Sequence, residues 1–123
     1  MVPGAPAADA PITRPDGSDG WLLRELAQGF TVLVAEGSAA HSLKRGIQDL
    51  DLKGVSLRVL RIAPASDLGE ADLIDTQGLL GQRYDMQPNT TYLLRPDQHV
   101  CARWRQPSAA QIHRALMSAL AIH

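Results

Sequence analysis

The fold is best inferred from residues 90–105, Thr90-Thr91-Tyr92-Leu93-Leu94-Arg95-Pro96-Asp97-Gln98-His99-Val100-Cys101-Ala102-Arg103-Trp104-Arg105. The first half of this stretch is rich in Thr, Tyr and Leu, and in the second half Val, Ala and Trp alternate with polar residues, which is typical of two β-strands. Pro96 presets φ for the second position of a type I turn, and Asp97 and Gln98 suit the bend. The stretch therefore predicts a β-hairpin that completes a sheet built from the residues upstream.

Upstream and downstream segments predict two more strands and four helices. A continuous β-rich run, Phe30–Ala35, is typical of a central strand covered on both faces, and residues 55–63 predict a second strand. Residues 64–73 predict a loop. The first three predicted helices span residues 21–27, 39–50 and 77–83. Ser18 or Asp19 is the predicted cap of the first of these, and Asp75 or Thr76 is the predicted cap of the third. Ser108 caps the last predicted helix, which has Ile112, Leu116 and Leu120 on its apolar face.

From residue 30 onward the predicted order is β-α-β-α-β-β-α. This order predicts an α/β fold with a four-stranded mixed sheet and helices on both faces, and it matches the thioredoxin-like architecture. Residues 1–17, with four prolines, predict an extended arm, either lying on the domain or serving as a linker remnant of a larger polypeptide. We expect residues 18–123 to form the thioredoxin-like domain.

Composition excludes several classes of function. The 123 residues carry a net charge of −1, which argues against nucleic acid or an anionic membrane as the main partner, since both need a concentrated positive field. The single cysteine allows no internal disulfide, no apolar run is long enough for a membrane helix, and the N-terminus does not resemble a signal peptide. We therefore expect a cytoplasmic location.

The start of the second predicted helix lacks the residues of thioredoxin chemistry. A redox-active domain of this kind places C-x-x-C there, because the helix N-terminus lowers the thiol pKa. This chain has Glu36-Gly37-Ser38-Ala39-Ala40-His41 instead, so dithiol–disulfide exchange is excluded at this position. Ser38 is better explained as a helix cap than as a hydroxyl that activates glutathione, and residues 36–41 could still border a binding groove.

Other chemically capable residues have simpler structural explanations. Cys101 is interpreted as a small apolar residue on a covered face, with a reactive thiol as the alternative. Trp21 is interpreted as an anchor of the first helix, with a binding-site tryptophan as the alternative. No two histidines have metal-ligand spacing; they are His41, His99, His113 and His123. A solvated loop explains the polar residues clustered in 66–75, which are Ser66, Asp67, Glu70, Asp72 and Asp75.

Three arginines lie in the predicted hairpin. Arg103 and Arg105 share one strand face, because alternation puts Val100, Ala102 and Trp104 on the other. With Arg95 they could bind an anion or a partner, or they could protect an edge strand from pairing with other chains. No catalytic, cofactor-binding or metal-binding residue is assigned from the sequence.

The hairpin also resembles a known family. Residues 93–105, with their Arg95-Pro96-Asp97 turn and the Trp104-Arg105 ending, resemble the end of the C-terminal domain of class A FAD-dependent aromatic hydroxylases, of the phenol hydroxylase and 3-(3-hydroxyphenyl)propionate hydroxylase type. Further similar segments occur in the same order, at residues 20–23, 29–34 and 83–85.

The resemblance implies a thioredoxin-like fold without thioredoxin chemistry. It also implies that FAD and NAD(P)H belong to the parent enzymes, because the Gly-rich FAD-binding segments of that family are not in this chain, and that this chain holds no cofactor. The role implied is packing on a flavoprotein body or self-association, including a possible homodimer. The alternative is a free-standing, redox-inactive binding protein or enzyme that uses the groove near residues 36–41.

Overall fold

The computed structural model describes residues 1–26, 29–65 and 71–121, which form seven strands and four helices. The strands are Pro11–Thr13 (β1), Asp19–Trp21 (β2), Phe30–Ala35 (β3), Leu57–Pro64 (β4), Leu73–Asp75 (β5), Thr91–Leu94 (β6) and Val100–Trp104 (β7). The helices are Leu22–Glu25 (α1), Ala40–Gln48 (α2), Leu79–Arg83 (α3) and Ala109–Ala121 (α4). Within these residues no helix is both long and apolar enough to cross a membrane.

All seven strands form one mixed sheet in the order β2-β1-β5-β4-β3-β6-β7. β3, β4 and β5 are parallel neighbours, and the other pairings are antiparallel. The predicted α/β class is confirmed, and the four predicted strands all occur, but the predicted strand number was wrong. β1, β2 and β5 have three residues each, which is too short for a period-two pattern to stand out from the surrounding loop sequence.

Helices cover both faces of the sheet, as predicted. Alternate residues of β3 enter different cores: Leu33 packs with α1 and α3 on one face, which we call the first face, and Val32 and Val34 pack with α2 and α4 on the second face. β6 does the same, with Tyr92 on the first face and Leu93 on the second. A strand that is buried on both sides in this way favours apolar residues on both faces, which explains the run at residues 30–35, where Thr31 is the one polar residue.

The N-terminal residues lie across the sheet. Gly4 donates a backbone hydrogen bond of 2.7 Å to Val100, and Val100 donates one of 2.9 Å to Ala5, so residues 4 and 5 line the outer edge of β7. The chain then crosses the first face, where Ala7 and Ala10 are buried, and enters β1 next to β5 at the other side of the sheet.

Remote side chains replace some of the predicted helix caps. Neither Ser18 nor Asp19 caps α1, because both precede or form β2; the Asp9 carboxylate accepts the Leu23 N–H at 3.0 Å instead. Asp75 serves α3 as predicted, by accepting the N–H groups of Leu80 and Gly81. At the start of α4, Ser108 and Gln111 exchange side-chain-to-backbone hydrogen bonds of 3.2 and 2.8 Å, which is a capping box.

The predicted hairpin turn is confirmed. Gln98 donates its backbone N–H to Arg95 at 2.9 Å, and Arg95 donates to His99 at 2.9 Å. Gln98 has φ of 66°, a left-handed conformation that glycine usually supplies at this position. Its side chain explains why glutamine is present, because Nε2 donates to the Leu23 carbonyl at 3.0 Å and links the hairpin to α1.

Candidate functional site

A cleft of about 540 Å³ lies where β3 and β4 end, and loop 86–88 borders it. The ends of parallel strands are where α/β sheets usually bind ligands. Most of its lining is apolar, and the three polar side chains are those of Glu36, Asp75 and Gln87. The other lining residues are Ala35, Gly37, Ile62, Ala63, Pro64, Leu80, Gly81, Met86 and Pro88. The predicted groove near residues 36–41 corresponds to this cleft only through Glu36 and Gly37.

Glu36 at the edge of the cleft is neutralised by a two-point ion pair. Arg61 donates from Nε and from one terminal nitrogen to the two Glu36 oxygens at 2.6 and 2.7 Å, and the two side chains are 12% and 17% exposed. Lys44 and Asp72 extend the network, since Lys44 Nζ lies 2.9 Å from the Asp72 carboxylate, which also accepts the Arg61 backbone N–H. The network fixes α2 against β4 and the residue before β5.

Asp75 forms a second polar point of the cleft and is also fixed. Asp75 is only 7% exposed. Its two carboxylate oxygens accept the N–H groups of Leu80 at 3.1 Å and Gly81 at 2.8 Å. Since Asp75 already serves α3, it is held as a structural acceptor.

Asn89 occupies the N-terminal end of α2. Its Oδ1 accepts the Ala39 N–H at 2.9 Å, and its backbone N–H donates to the Ala35 carbonyl at 3.1 Å. A Cβ atom at Gly37 would lie 2.4 Å from that same oxygen, so glycine is needed for the close approach. The prediction that Ser38 caps α2 was therefore wrong: Ser38 is exposed, and no side-chain cap bond is made by the N-cap residue Ala39.

The charged side chains around the cleft already have hydrogen-bond partners. Its acidic side chains are engaged by Arg61 and by the start of α3, and the amide at the start of α2 is engaged by Asn89. In the part of the chain that the structure describes, no three His, Cys, Asp or Glu side chains are grouped as metal ligands. An apolar group entering the cleft would contact Ile62, Leu80 and Met86.

Cys101 packs at the side of the second-face core. It is half-buried against residues of α4, and burial is the main cause that raises the pKa of its thiol, while Arg95 lowers this pKa and Asp97 raises it. A raised pKa disfavours the reactive thiolate. The interpretation of Cys101 as a small packing residue agrees with this environment.

Arg103 and Arg105 converge on one carboxylate. Their terminal nitrogens lie 2.9 and 2.6 Å from the same Asp85 oxygen, and Arg105 also donates to the Asp85 carbonyl and to Thr90 Oγ1. The hydrogen bond from Arg105, followed in size by the one from Arg103, is the main cause that lowers the pKa of Asp85. The pair thus fastens the loop before β6 to β7, which is an edge strand of the sheet.

The remaining candidates are dispersed. His41 is exposed, His113 is half-buried, and His99 Nδ1 lies 3.1 Å from the Asp97 carbonyl. Arg95 pairs with Asp97 at 2.7 Å. Ser66, Asp67, Glu70 and His123 lie outside the described residues.

Trp21 does not anchor α1. The prediction was wrong because Trp21 ends β2 rather than lying inside a helix, and its side chain is 50% exposed.

The sequence did not reveal the roles of Arg61 and Asn89. Arg61 interrupts the apolar pattern of its strand, which is a usable signal for an inward ion pair, whereas nothing local marks Asn89 as the cap of a helix fifty residues away in sequence.

The fold has several known counterparts. Aklavinone-11 hydroxylase, in a complex with FAD and aklavinone, has 22% identity over 94% of this chain and 21% of its own, with a TM-score of 0.70. The flavin-dependent monooxygenase PieE, in complex with FAD and substrate, has 23% identity over 96% and 20% of the two chains, with a TM-score of 0.74. A thioredoxin-like protein from Bacteroides caccae has 21% identity over 94% and 49%, with a TM-score of 0.73.

These similarities establish a thioredoxin-like fold for this chain. The chain spans about a fifth of the length of the two FAD-bound enzymes and about half of the Bacteroides caccae protein. No protein-family model matches the sequence, and no curated protein matches it either.

Proposed function

We propose that this chain is a non-catalytic, thioredoxin-like module of an FAD-dependent aromatic-ring monooxygenase, and that it packs on the flavoprotein body or contributes subunit contacts. The observation that carries this proposal is that nearly the whole chain superimposes on a fifth of two FAD-bound enzymes. The hairpin resemblance to aromatic hydroxylases supports it from the sequence side. In this role FAD and NAD(P)H would be bound by the body, and the cytoplasm is the expected location.

The environment at the start of α2 also supports a role without redox chemistry. A dithiol site needs cysteines at the helix N-terminus and an amide left free to stabilise the thiolate. Residues 36–41 contain no cysteine, and the Ala39 amide is already donated to Asn89. The thioredoxin-like fold would then serve as a packing unit.

The proposal is tested first on the purified chain. It should be colourless, without flavin absorbance at about 450 nm, and should not oxidise NAD(P)H in the presence of phenols, since the flavin carries that chemistry. Tightly bound flavin or turnover by the chain alone would contradict a non-catalytic role.

The second test concerns the flavoprotein body. The reading frame that contains or precedes this chain should encode an FAD-binding domain, and the tagged chain should co-purify with that domain. A thioredoxin-like domain from an unrelated protein is the control, because it offers the same fold with a different surface. A frame without such a domain, or equal recovery with the control, would overturn the proposal.

A second candidate function is favoured by the cleft itself. A free-standing binding protein would use the apolar pocket beside Glu36 and Met86 for an apolar ligand. Replacing Ala63 in the cleft wall by Leu should then abolish ligand binding while leaving any docking on a flavoprotein body unchanged, so the two functions can be separated.

A further inference from the structure

The outermost strand of the sheet presents an exposed tryptophan. β2 is the last strand beyond β1, and no strand among the described residues pairs with its outer edge. Trp21 is 50% exposed there, and the other large hydrophobic side chain exposed in the described part of the chain is Val2, at 66%. Edge strands usually carry charge or proline to prevent pairing, and β2 has Asp19; its tryptophan, in contrast, is one of the residue types enriched at the centres of protein interfaces.

A concavity lies directly beside this tryptophan. It measures about 510 Å³, and Trp21 itself is part of its wall, together with Pro11, Ile12, Arg14, Asp19, Gly20, Arg24, Thr76 and Gln77. A half-exposed aromatic ring and a hollow therefore occupy the same surface. A twofold interface requires this arrangement, because each copy has to present both halves of the contact.

The charges around the hollow are also self-complementary. The Asp19 carboxylate accepts one hydrogen bond, from Thr13, and Arg24 is exposed; neither has an ion-pair partner among the described residues. Arg14, in contrast, is engaged by Glu25 at 2.7 Å and by the Asp19 carbonyl at 3.0 Å. The surface thus offers one unpaired carboxylate and one unpaired guanidinium beside an apolar centre.

We propose that Asp19, Trp21 and Arg24 form a twofold docking surface for a second copy of this chain. Trp21 of each copy fills the hollow of the other, and Arg24 faces the partner's Asp19. A contact centred on one tryptophan and one charge pair from each copy is of the kind expected in a transient dimer rather than a permanent one. This inference deepens the subunit-contact part of the proposed function by naming the surface and its occupant.

Sedimentation velocity of the full chain, from low micromolar to near-millimolar concentration, tests the dimer. The weight-average sedimentation coefficient should rise with concentration in the wild type and in Val2→Lys, which changes an exposed apolar residue outside the surface. It should stay at the monomer value in Trp21→Lys. A wild type that is monomeric throughout, or a Trp21→Lys variant that associates like the wild type, would overturn the proposal.

Charge exchange tests the orientation with variants that leave the tryptophan in place. Asp19→Arg and Arg24→Asp should each weaken the dimer at least tenfold, because like charges then face each other across the twofold axis. The double variant should regain most of the affinity, and failure to do so would overturn the proposed pairing of Arg24 with Asp19.

Thermal melts confirm that each variant is folded. Co-purification with a flavoprotein body, measured on the monomeric Trp21→Lys variant, reports on docking alone and so separates failure of the proposed function from failure of the dimer.

Discussion

At the scale of single residues, the fold depends on side chains that serve distant backbone groups. Asn89 caps α2, Asp9 caps α1, and Gln98 ties the hairpin to α1. Asn89 and Gln98 both adopt positive φ, which costs energy for residues other than glycine. Each of them makes a hydrogen bond with its side chain that glycine could not make.

Replacing Asn89 separates the two contributions. Asn89→Gly should destabilise the protein by about 1 kcal/mol, because the Ala39 N–H loses its acceptor. Asn89→Ala should cost a further ~1 kcal/mol, since alanine at φ of 70° is strained. Urea denaturation measures both, and equal stability of the two variants would show that backbone strain is unimportant here.

Gly37→Ala provides a coupled test of the same contact. In the wild type the new methyl group would meet Asn89 Oδ1 at 2.4 Å, so we expect a loss of about 2 kcal/mol. In the Asn89→Gly background part of this loss should disappear, because the obstructing carboxamide is gone while the backbone nitrogen of residue 89 still lies 2.9 Å from the new methyl group. Strict additivity in the double-mutant cycle would contradict the contact.

The two tyrosines predict how stability changes at alkaline pH. Tyr84 donates to the Ala8 carbonyl at 2.6 Å and Tyr92 to the Tyr84 carbonyl, their rings meet edge to face at 5.1 Å, and burial is the main cause of the raised pKa of each phenol. The unfolded chain therefore loses these protons first, and the free energy of unfolding falls as the pH rises through about 10.

This pH dependence is measured by urea denaturation at increasing pH in a Cys101→Ala background, which removes the thiol. Tyr84→Phe should be less stable at neutral pH by about 1 kcal/mol, from the lost hydrogen bond, yet should lose less stability on going to alkaline pH. An alkaline slope identical to that of the parent would show that Tyr84 does not resist ionisation.

At the scale of elements, sequence patterns located the helices and the longer strands and missed the three-residue strands. The run at residues 30–35 is buried throughout, and the Ser108 cap marked the start of α4. β1 and β2 were not predicted, because their burial depends on β5 and on the N-terminal residues rather than on a local pattern. The cleft was located only in part, since Asp75 lines it and Arg61 pairs with Glu36 at its edge from strands whose neighbours the sequence does not reveal.

The N-terminal segment should behave as part of the fold. Removing residues 1–8 deletes the backbone bonds to β7, the Tyr84 acceptor and buried Ala7, so we expect a loss of at least about 3 kcal/mol. Removing residues 1–3, which lack these backbone bonds to β7, is the control and should cost less than about 1 kcal/mol. Thermal and urea denaturation compare the two, and similar stabilities would mean that the segment only rests on the surface.

At the scale of the whole molecule, two cores share their central strands. β3 and β6 contribute to both faces, so neither core can lose its packing while the other keeps it. We expect a single cooperative unfolding transition.

The aromatic residues report on the two cores separately. Tyr84 and Tyr92 lie in the first-face core, and Trp104 packs against the second. In a Trp21→Phe variant, tryptophan fluorescence and the near-ultraviolet tyrosine signal should show the same urea midpoint. Two distinct midpoints would show that the cores unfold independently.

The contact of Gly4 and Ala5 with Val100 has a consequence for the order of folding. These partners lie near opposite ends of the chain, and closing so long a loop is slow. During synthesis residues 4 and 5 emerge before all seven strands, and β7, the strand whose edge they line, is the last of these strands to emerge. Ala7 and Ala10 therefore remain without their native cover until the hairpin has formed, and within this domain the N-terminal segment is among the last to reach its final packing.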